Sequence, residues 1–555
     1  MKLKTSFFNP TVFKKNLTRF APSWILYSLC LLMGLLGILD GNTDYVRSLN
    51  AADSIQLMAV ANFAYALLNA QLLFGDMYNS RLCNALHAMP LRRESWFLTH
   101  LLSGLLFSVV PNLIVALSFM PRLGAYWYVA FVWLGGMTLV YLFFFGAAAL
   151  SAMCTGNRFA MALVYGLINF LSVLCWFLLS YMYEPLLYGI EIDESPFILL
   201  SPVSYLCTNE LNFVSFLEQL PGYSNPANGW PYVTGIAVIG VIMLVAALVL
   251  YRKRHLESAG DFITVRFFSP VFLVLYTLTA GIALFLFSRL FSTDQDYLFL
   301  VVGIIAGFFT GSMLLQRTVR VFRPATFIGL AVTAVVLFGS LGLTRLDVAG
   351  IVRWVPEEED VKAISIRYAY DEYAYTTADE AEIRELMAIH EDIISERNTD
   401  APILYNSVYL TYTLDNGKTV TRKYRMDYDD PAALRLVPWF SSPEYVLQTD
   451  DVANFIDNVN YIEVECYSDK YYGDTAIEPS ALVVGADARD LIDAIIADCE
   501  AGRMIQDYNY YDSFASEPYA IGYIRIDSAG GKEAVINVWT NNISTYGWLT
   551  EHLWK

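Results

Sequence analysis

Hydrophobic and polar positions divide this chain into two patterns. Up to Leu343 long apolar runs alternate with short polar segments, whereas from Asp347 onwards apolar and polar residues alternate over short stretches. Nine apolar runs occupy the first part: Phe20–Leu39, Ile55–Phe74, Trp96–Ser118, Tyr126–Leu150, Phe159–Met182, Tyr232–Tyr251, Phe268–Ser288, Tyr297–Leu315 and Ala325–Leu343. A helix of about 20 residues crosses ~30 Å of hydrocarbon and satisfies its own backbone hydrogen bonds in lipid. The pattern predicts a polytopic α-helical membrane protein of about nine spans.

The second pattern predicts a C-terminal α+β domain. Its first part reads as strand Val361–Tyr370, helix Asp379–Glu396, strand Ser407–Tyr412 and strand Thr419–Met426, with a hairpin turn at residues 415–418. A similar order follows in strand Tyr461–Tyr467, helix Ala488–Cys499, strand Tyr519–Ile526 and strand Ala534–Trp539. We interpret the two parts as β-α-β-β units and as a possible internal duplication.

Charge separates the same two parts. Residues 1–344 hold 19 Lys and Arg against 15 Asp and Glu, while residues 345–555 hold 17 against 39. The formal charges of +4 and −22 add up to the −18 of the whole chain. With 56% apolar residues and a mean hydropathy of +0.43, the composition is that of a membrane protein. An acidic domain argues against nucleic-acid binding, which needs a basic surface.

Basic residues predict the orientation. With the N-terminus inside, the outer loops carry only Arg47, Arg122 and Arg289. The inner segments carry Lys2, Lys4, Lys14, Lys15, Arg19, Arg81, Arg92, Arg93, Arg158, Arg252, Lys253, Arg254, Arg266, Arg317, Arg320 and Arg323. Basic residues stay on the cytoplasmic side, and an odd number of spans then places the C-terminal domain outside.

The segment Asp76–Glu94, DMYNSRLCNALHAMPLRRE, lies between the second and third apolar runs on the inner side. Its apolar positions Leu82, Ala85, Leu86 and Met89 share one face of a short helix that Pro90 ends. Two interpretations stay open: a basic turn that only sets topology, or an amphipathic helix on which a cytosolic partner docks.

Polar residues inside the spans are few. Asn62 and Asn69 share a face of the second span, where amides either join helices or line a substrate path. No span carries the facing carboxylates of an ion-driven carrier. In the outer loop between spans five and six, Phe197–Leu206 and Leu211–Leu220 suit either short helices that dip into the membrane or an ordinary folded loop.

No pattern predicts an enzyme. The chain lacks a P-loop, an H-E-x-x-H and a G-x-S-x-G motif, and its cysteines have no metal-site spacing. His390, Glu391 and Asp392 diverge around a helix, so we expect a solvated face rather than a metal site. Cys466 and Cys499 either pair outside the cell or remain free buried thiols.

With this order of features, residues 1–251 resemble the permease subunit of an ABC-2-type transporter. Phe7–Ala21 looks like the amphipathic connecting helix of that family, Asp76–Glu94 is similar to its coupling-helix loop, and Phe197–Leu220 looks like its short re-entrant helices. The chain departs from the family in three extra spans and the outer domain. That domain resembles domains of unknown function that are appended to such permeases in Gram-positive bacteria.

The resemblance implies four parts: an interfacial helix at 1–19, a six-span permease core at 20–251, three additional spans at 252–344 and the extracytoplasmic domain at 345–555. It also implies a homo- or heterodimer in a bacterial plasma membrane and a separate ATPase subunit that holds ATP and magnesium, while this chain binds no cofactor. The residues that would contact this ATPase are Arg81, Leu82, Ala85, Leu86, His87, Met89, Arg92 and Arg93. Asn62 and Asn69 stay candidates for a substrate path, with the joining of helices as the alternative.

We therefore expect an ATP-driven exporter whose substrate is a peptide antibiotic or a lipid-linked compound. The alternative is a multi-span membrane sensor or interaction protein whose outer domain binds a cell-envelope ligand.

Overall fold

A computed structural model describes residues 7–38, 43–87, 92–209, 211–214, 227–254, 260–265, 267–290, 296–368, 374–396, 407–425, 431–440, 442, 445, 459–466, 481–501, 503, 520–528, 533–539 and 541–553. The chain divides into two compact units. The first comprises residues 1–181, 193–219 and 224–339, and the second comprises residues 182–192, 220–223 and 340–555.

The first unit is built from helices. They are α1 Pro10–Arg19, α2 Ala21–Ile38, α3 Asp44–Leu57, α4 Ala59–Leu73, α5 Ser80–His87, α6 Arg93–Phe119, α7 Val129–Cys154, α8 Arg158–Leu178, α9 Ser195–Leu199, α10 Pro202–Thr208, α11 Gly229–Lys253, α12 Phe268–Arg289, α13 Asp296–Gln316 and α14 Pro324–Arg345. A 3₁₀ turn, Gly75–Tyr78, precedes α5, and a π-helical turn, Leu179–Tyr183, follows α8.

Seven helices in the described part of the chain are long and apolar enough to cross a bilayer, which makes this a polytopic helical membrane protein. They contain α6, α7, α8, α11, α12, α13 and α14. Helices α3 and α4 meet at a 46° bend and make an eighth span if the pair counts as one. The second predicted span therefore corresponds to a broken helix, and the first corresponds to α2, whose apolar part Ala21–Leu35 is shorter than the seven.

Helix α7 is the centre of the first unit. Its side chains Trp133, Tyr141, Phe144 and Phe145 are fully buried. On α7 a Cβ at Gly146 would lie 2.4 Å from the carbonyl oxygen of Gly240 on α11. Only a residue without a side chain allows the two backbones to come this close.

Helices α12 and α13 pack closely along the glycines of α13. A Cβ at Gly303 would lie 2.8 Å from the carbonyl oxygen of Ala280, and a Cβ at Gly307 would lie 3.1 Å from that of Thr277. Gly311 of α13 faces Leu273 of α12. Helices α12 and α13 thus form a tightly packed helical hairpin.

The loop between α8 and α11, for which short helices and an ordinary folded loop were both open, is helical in the first of its two semi-apolar pieces. Residues Phe197–Leu206 are divided between α9 and α10, because Pro202 starts a new helix. The second piece, Leu211–Leu220, does not begin as a helix: strand β1 Leu211–Asn212 pairs in parallel with β2 Ala227–Asn228. The side-chain amide of Gln56 accepts a hydrogen bond from the Leu211 N–H (3.2 Å) and donates to the Leu206 carbonyl (3.3 Å), so it replaces helical bonds. Residues 215–220 lie outside the described residues.

The second unit contains two four-stranded antiparallel sheets, each packed against helices. The first has strands β3 Val361–Tyr368, β4 Tyr375–Thr377, β5 Ser407–Leu414 and β6 Thr419–Arg425, with helices α15 Glu380–Glu396 and α16 Pro431–Phe440. The other has β7 Val459–Cys466, β8 Ala481–Val483, β9 Ala520–Ser528 and β10 Glu533–Trp539, with α17 Ala486–Glu500 and α18 Ile543–His552. The strand orders are β4-β3-β5-β6 and β8-β7-β9-β10.

The two sheets match in register as well as in order. Ile364 of β3 lies opposite Tyr412 of β5, and Ile462 of β7 lies opposite Ile526 of β9. In each of the two β-α-β-β parts, the structure has a three-residue edge strand and a terminal helix in addition to the predicted elements. Common descent of the two parts stays a prediction. Cys499 is buried, and its pairing with Cys466 stays a prediction.

His390 corrects the expectation of a solvated face. It is fully buried under the first sheet, and its two ring nitrogens lie 2.6 Å from the hydroxyl oxygens of Tyr412 and Tyr424. Burial, with the positive charge of Arg422 as the second cause, lowers the pKa of His390 to about 3. The imidazole is therefore neutral and bridges α15 to β5 and β6.

Candidate coupling site

Helix α5 forms because Asn79 caps it. The Asn79 side-chain oxygen accepts a hydrogen bond from the backbone N–H of Arg81 (3.0 Å), and its extended backbone directs the chain into the helix. Leu82 in the first turn is 48% exposed, and Arg81 and Asn84 are exposed beside it. The next residue, Cys83, is only 4% exposed. One side of α5 is therefore buried at Cys83, and the other side exposes Leu82.

Cys83 is the anchor that the sequence did not indicate. Burial raises the pKa of its thiol, although the nearby cations Arg254 and Arg93 act in the opposite direction. A thiol held in its neutral form is inert and packs as a small apolar group. The apolar stripe predicted for α5 omitted it, because the i, i+3, i+4 and i+7 spacing begins at Leu82, whose side chain is exposed.

Arginine side chains connect the chain after α5 with two long helices, α11 and α7. The Arg93 guanidinium donates to the carbonyl oxygens of Arg252 in the last turn of α11 and of Arg254 directly after it (3.4 Å each). Arg252 also forms an ion pair with Glu94 (3.2 Å). Arg254 in turn donates to the Ala152 carbonyl (2.9 Å) at the end of α7. Cations placed at helix C-termini satisfy carbonyl groups that have no partner within the helix.

The 3₁₀ turn before α5 contacts two further helices. Asp76 forms an ion pair with Arg19 of α1 (3.6 Å), and the Tyr78 hydroxyl donates to the Met161 sulfur of α8 (2.9 Å). A Cβ at Gly75 would lie 3.1 Å from the guanidinium of Arg158 at the start of α8. The segments on either side of α5 thus make polar contacts that involve α1, α6, α8 and α11.

The structure describes part of the predicted coupling set. Arg81 and Leu82 are exposed, Arg93 is half-buried, and the exposed Arg92 stacks over the ring of Phe7 at 5.6 Å. Three further members, Ala85, Leu86 and His87, lie in α5 with side chains outside the described residues, and Met89 lies outside them altogether. The full apolar stripe stays a prediction.

Asn62 and Asn69 of α4 are fully buried between helices. The Tyr27 hydroxyl of α2 donates to the Asn62 side-chain oxygen (3.0 Å), and the Asn69 amide donates to the Tyr141 hydroxyl of α7 (2.9 Å). Tyr27 stacks on Tyr65 at 3.7 Å. In this structure the two amides join helices, and their place on a substrate path stays a prediction.

A second contact region lies in the second unit, where residues 182–192 pack on edge strand β6. The Lys423 backbone N–H donates to the Gly189 carbonyl (3.0 Å), and the Lys423 ammonium pairs with Glu191. Gly189 has φ +80°, and a Cβ there would lie 2.3 Å from the Tyr424 ring. Because residues 182–192 continue α8, we call this segment the clasp.

Comparisons with known proteins identify no relative: no protein-family model, curated protein or solved structure matches this chain. Among the described residues, no group of three His, Cys, Asp or Glu side chains is arranged to hold a metal ion.

Proposed function

We propose that this chain is the membrane-spanning permease subunit of an ATP-driven exporter, and that a separate ATPase docks on the loop 76–94. The observation that carries the proposal is the construction of α5. It presents Leu82 and Arg81 outward while Cys83 and the flanking polar contacts hold its base against four helices.

This construction suits transmission of force. An exposed leucine beside an arginine offers an apolar contact with a charged edge, as docking surfaces of proteins commonly do. The ion pairs and hydrogen bonds of Asp76, Tyr78 and Arg93 make the loop move with the helices rather than alone. A partner that changes shape on ATP hydrolysis could therefore rearrange the spans through α5.

The proposal includes the partners that the resemblance implies. The ATPase would bring ATP and magnesium, a second permease subunit would complete the transporter, and no nucleic acid would take part. The chain would lie in a bacterial plasma membrane with the acidic domain outside. A peptide antibiotic or a lipid-linked compound is the substrate class that we propose.

Leu82→Asp tests the docking role, because a buried carboxylate at the interface would have no partner. We expect the ATPase to co-purify with the wild-type chain and to be lost, with its stimulated activity, from the variant. Leu482→Asp is the matched control, since Leu482 is 63% exposed on β8, far along the chain from α5. Equal retention of the ATPase by both variants would contradict the coupling role.

The clasp favours a second candidate function, a sensor whose outer domain reports to the membrane part. Lys423 and Tyr424 hold residues that continue directly into α8, so a ligand of the first sheet could alter that span. A wild-type chain that binds a cell-envelope ligand but co-purifies with no ATPase would favour this function over export.

A further inference from the structure

The face of the first sheet that points away from α15 is lined by hydroxyl groups. Register places Thr376, Ser365, Thr411 and Thr421 in one row across all four strands. The hydroxyls of Ser365 and Thr376 lie 2.9 Å apart, and those of Thr411 and Thr421 lie 3.0 Å apart. These side chains form a flat polar surface with donors and acceptors side by side.

Cations form the next row of the same face. Arg367 lies opposite Tyr409, and Tyr409 lies opposite Lys423. The Arg367 guanidinium carbon is 4.2 Å, and the Lys423 ammonium 5.2 Å, from the centre of the Tyr409 ring. Arg425, exposed, follows two residues along β6, about 7 Å away. Three cations thus share one face of a domain in which acids outnumber bases by 39 to 17.

The second sheet provides an internal comparison. Its equivalent of the hydroxyl row is Leu482, Glu463, Arg525 and Val535. Its equivalent of the cationic row is Glu465, Tyr523 and Asn537, so the central tyrosine is kept and both cations are replaced. The basic hydroxyl face is therefore a property of the first sheet and not of the fold.

An anion of the chain itself already contacts this face. The Glu191 carboxylate, carried by the clasp, pairs with Lys423 at the edge of the cationic row. A stronger anion on the same row would compete with Glu191 for Lys423. An anion that binds to this face would therefore weaken the contact between Lys423 and Glu191 of the clasp.

We propose that this face binds a polymer of the cell envelope that carries phosphodiester and hydroxyl groups, and that its binding displaces Glu191 from Lys423. A phosphodiester accepts charge-assisted hydrogen bonds from Arg and Lys, while the polymer hydroxyls bond to the Ser and Thr row. The surrounding negative charge excludes other contacts with a polyanion, so binding is restricted to this face. The proposal does not depend on the ATPase.

Two other anionic partners fit the face less well. A membrane surface is bound by apolar side chains that insert beside the cations, and the described residues of these two rows include none apart from Tyr409. An acidic peptide offers carboxylates but no hydroxyl groups for the row of Thr376, Ser365, Thr411 and Thr421. Both serve as arms of the test.

The test measures binding of fluorescent poly(glycerol phosphate) to the full chain in phosphatidylcholine nanodiscs. We expect Arg367→Gln/Arg425→Gln to weaken binding by about tenfold or more, because two charge-assisted contacts are lost. The charge-matched control Arg489→Gln/Arg525→Gln, which changes residues away from this face, should bind as the wild type does. Glu191→Gln should bind more tightly, since the competing carboxylate is removed.

Hydrogen exchange of the same samples tests the displacement. Polymer binding should speed exchange of the Lys423 amide, whose acceptor is the Gly189 carbonyl, and leave that amide unaffected in Arg367→Gln/Arg425→Gln. Equal binding by the two double variants would overturn the site. Equal or tighter binding of poly-L-glutamate, or binding only to phosphatidylglycerol vesicles, would overturn the assigned ligand.

Discussion

Replacing all three polar groups under the first sheet should destabilise the domain less than replacing one of them. His390, Tyr412 and Tyr424 satisfy one another in a core whose counterparts of the two tyrosines in the second sheet, Ile526 and Val538, are apolar. Tyr424→Phe leaves a buried ring nitrogen without its 2.6 Å partner, at a cost of ~1–3 kcal/mol. The triple variant His390→Leu/Tyr412→Phe/Tyr424→Phe leaves no orphaned group, so we expect a change within about 1 kcal/mol.

The same trio predicts a pH dependence. The pKa of His390 is about 3 in the folded chain and 6.5 when exposed, so below pH 6.5 the unfolded state takes up a proton that the folded state refuses. Its contribution to stability is complete above about pH 6.5. It falls by up to ~1.4 kcal/mol per pH unit until the pH reaches about 3. The triple variant should not show this decrease in stability between about pH 6.5 and pH 3.

Hydrogen exchange of peptides from α15 and β5, recorded on the full chain in nanodiscs, gives the opening free energy of this domain. The wild type, Tyr424→Phe and the triple variant are compared at pH 7 and pH 5. A triple variant as unstable as the single one would refute the reasoning, and so would equal pH dependence of the triple variant and the wild type.

Two further substitutions test other contacts. Asp498→Asn removes the carboxylate that accepts from the backbone N–H groups of Ser544 (3.0 Å) and Thr545 (2.7 Å) at the start of α18. The free energy of local opening of α18, measured by hydrogen exchange of its amides, should fall by ~1–3 kcal/mol. No change would show that this cap does not stabilise the helix. Gly146→Val should abolish the monodisperse peak in size-exclusion chromatography, because the added Cβ meets a backbone oxygen at 2.4 Å. Gly166→Val, at a position with open space, is its control and should keep that peak.

Local sequence patterns predicted most of the secondary structure. Each long apolar run contains a helix because lipid and core both require an apolar surface of that length, and alternation gave strands β3, β5 and β6 to within two residues. The hairpin turn followed from Gly417, whose φ of +77° suits glycine. These features depend on residues close in the sequence.

The missed features depend on residues far apart in the sequence. Met58 gives no local signal of a break between α3 and α4, and the three-residue strands β4 and β8 are too short to show alternation. The helical pattern placed His390 on a solvated face, because its tyrosine partners lie 22 and 34 residues away. Cys83 and Arg254 became visible as parts of the candidate site around α5 only when α5, α7 and α11 were placed together.

The proposal that an ATPase docks on α5 is tested most directly by crosslinking. A photoreactive benzoylphenylalanine at position 82, irradiated in native membranes, should capture an ATP-binding subunit that mass spectrometry identifies by its P-loop. The same residue at position 482 should not. Capture of lipid alone at position 82, or of the same ATPase at both positions, would contradict the account.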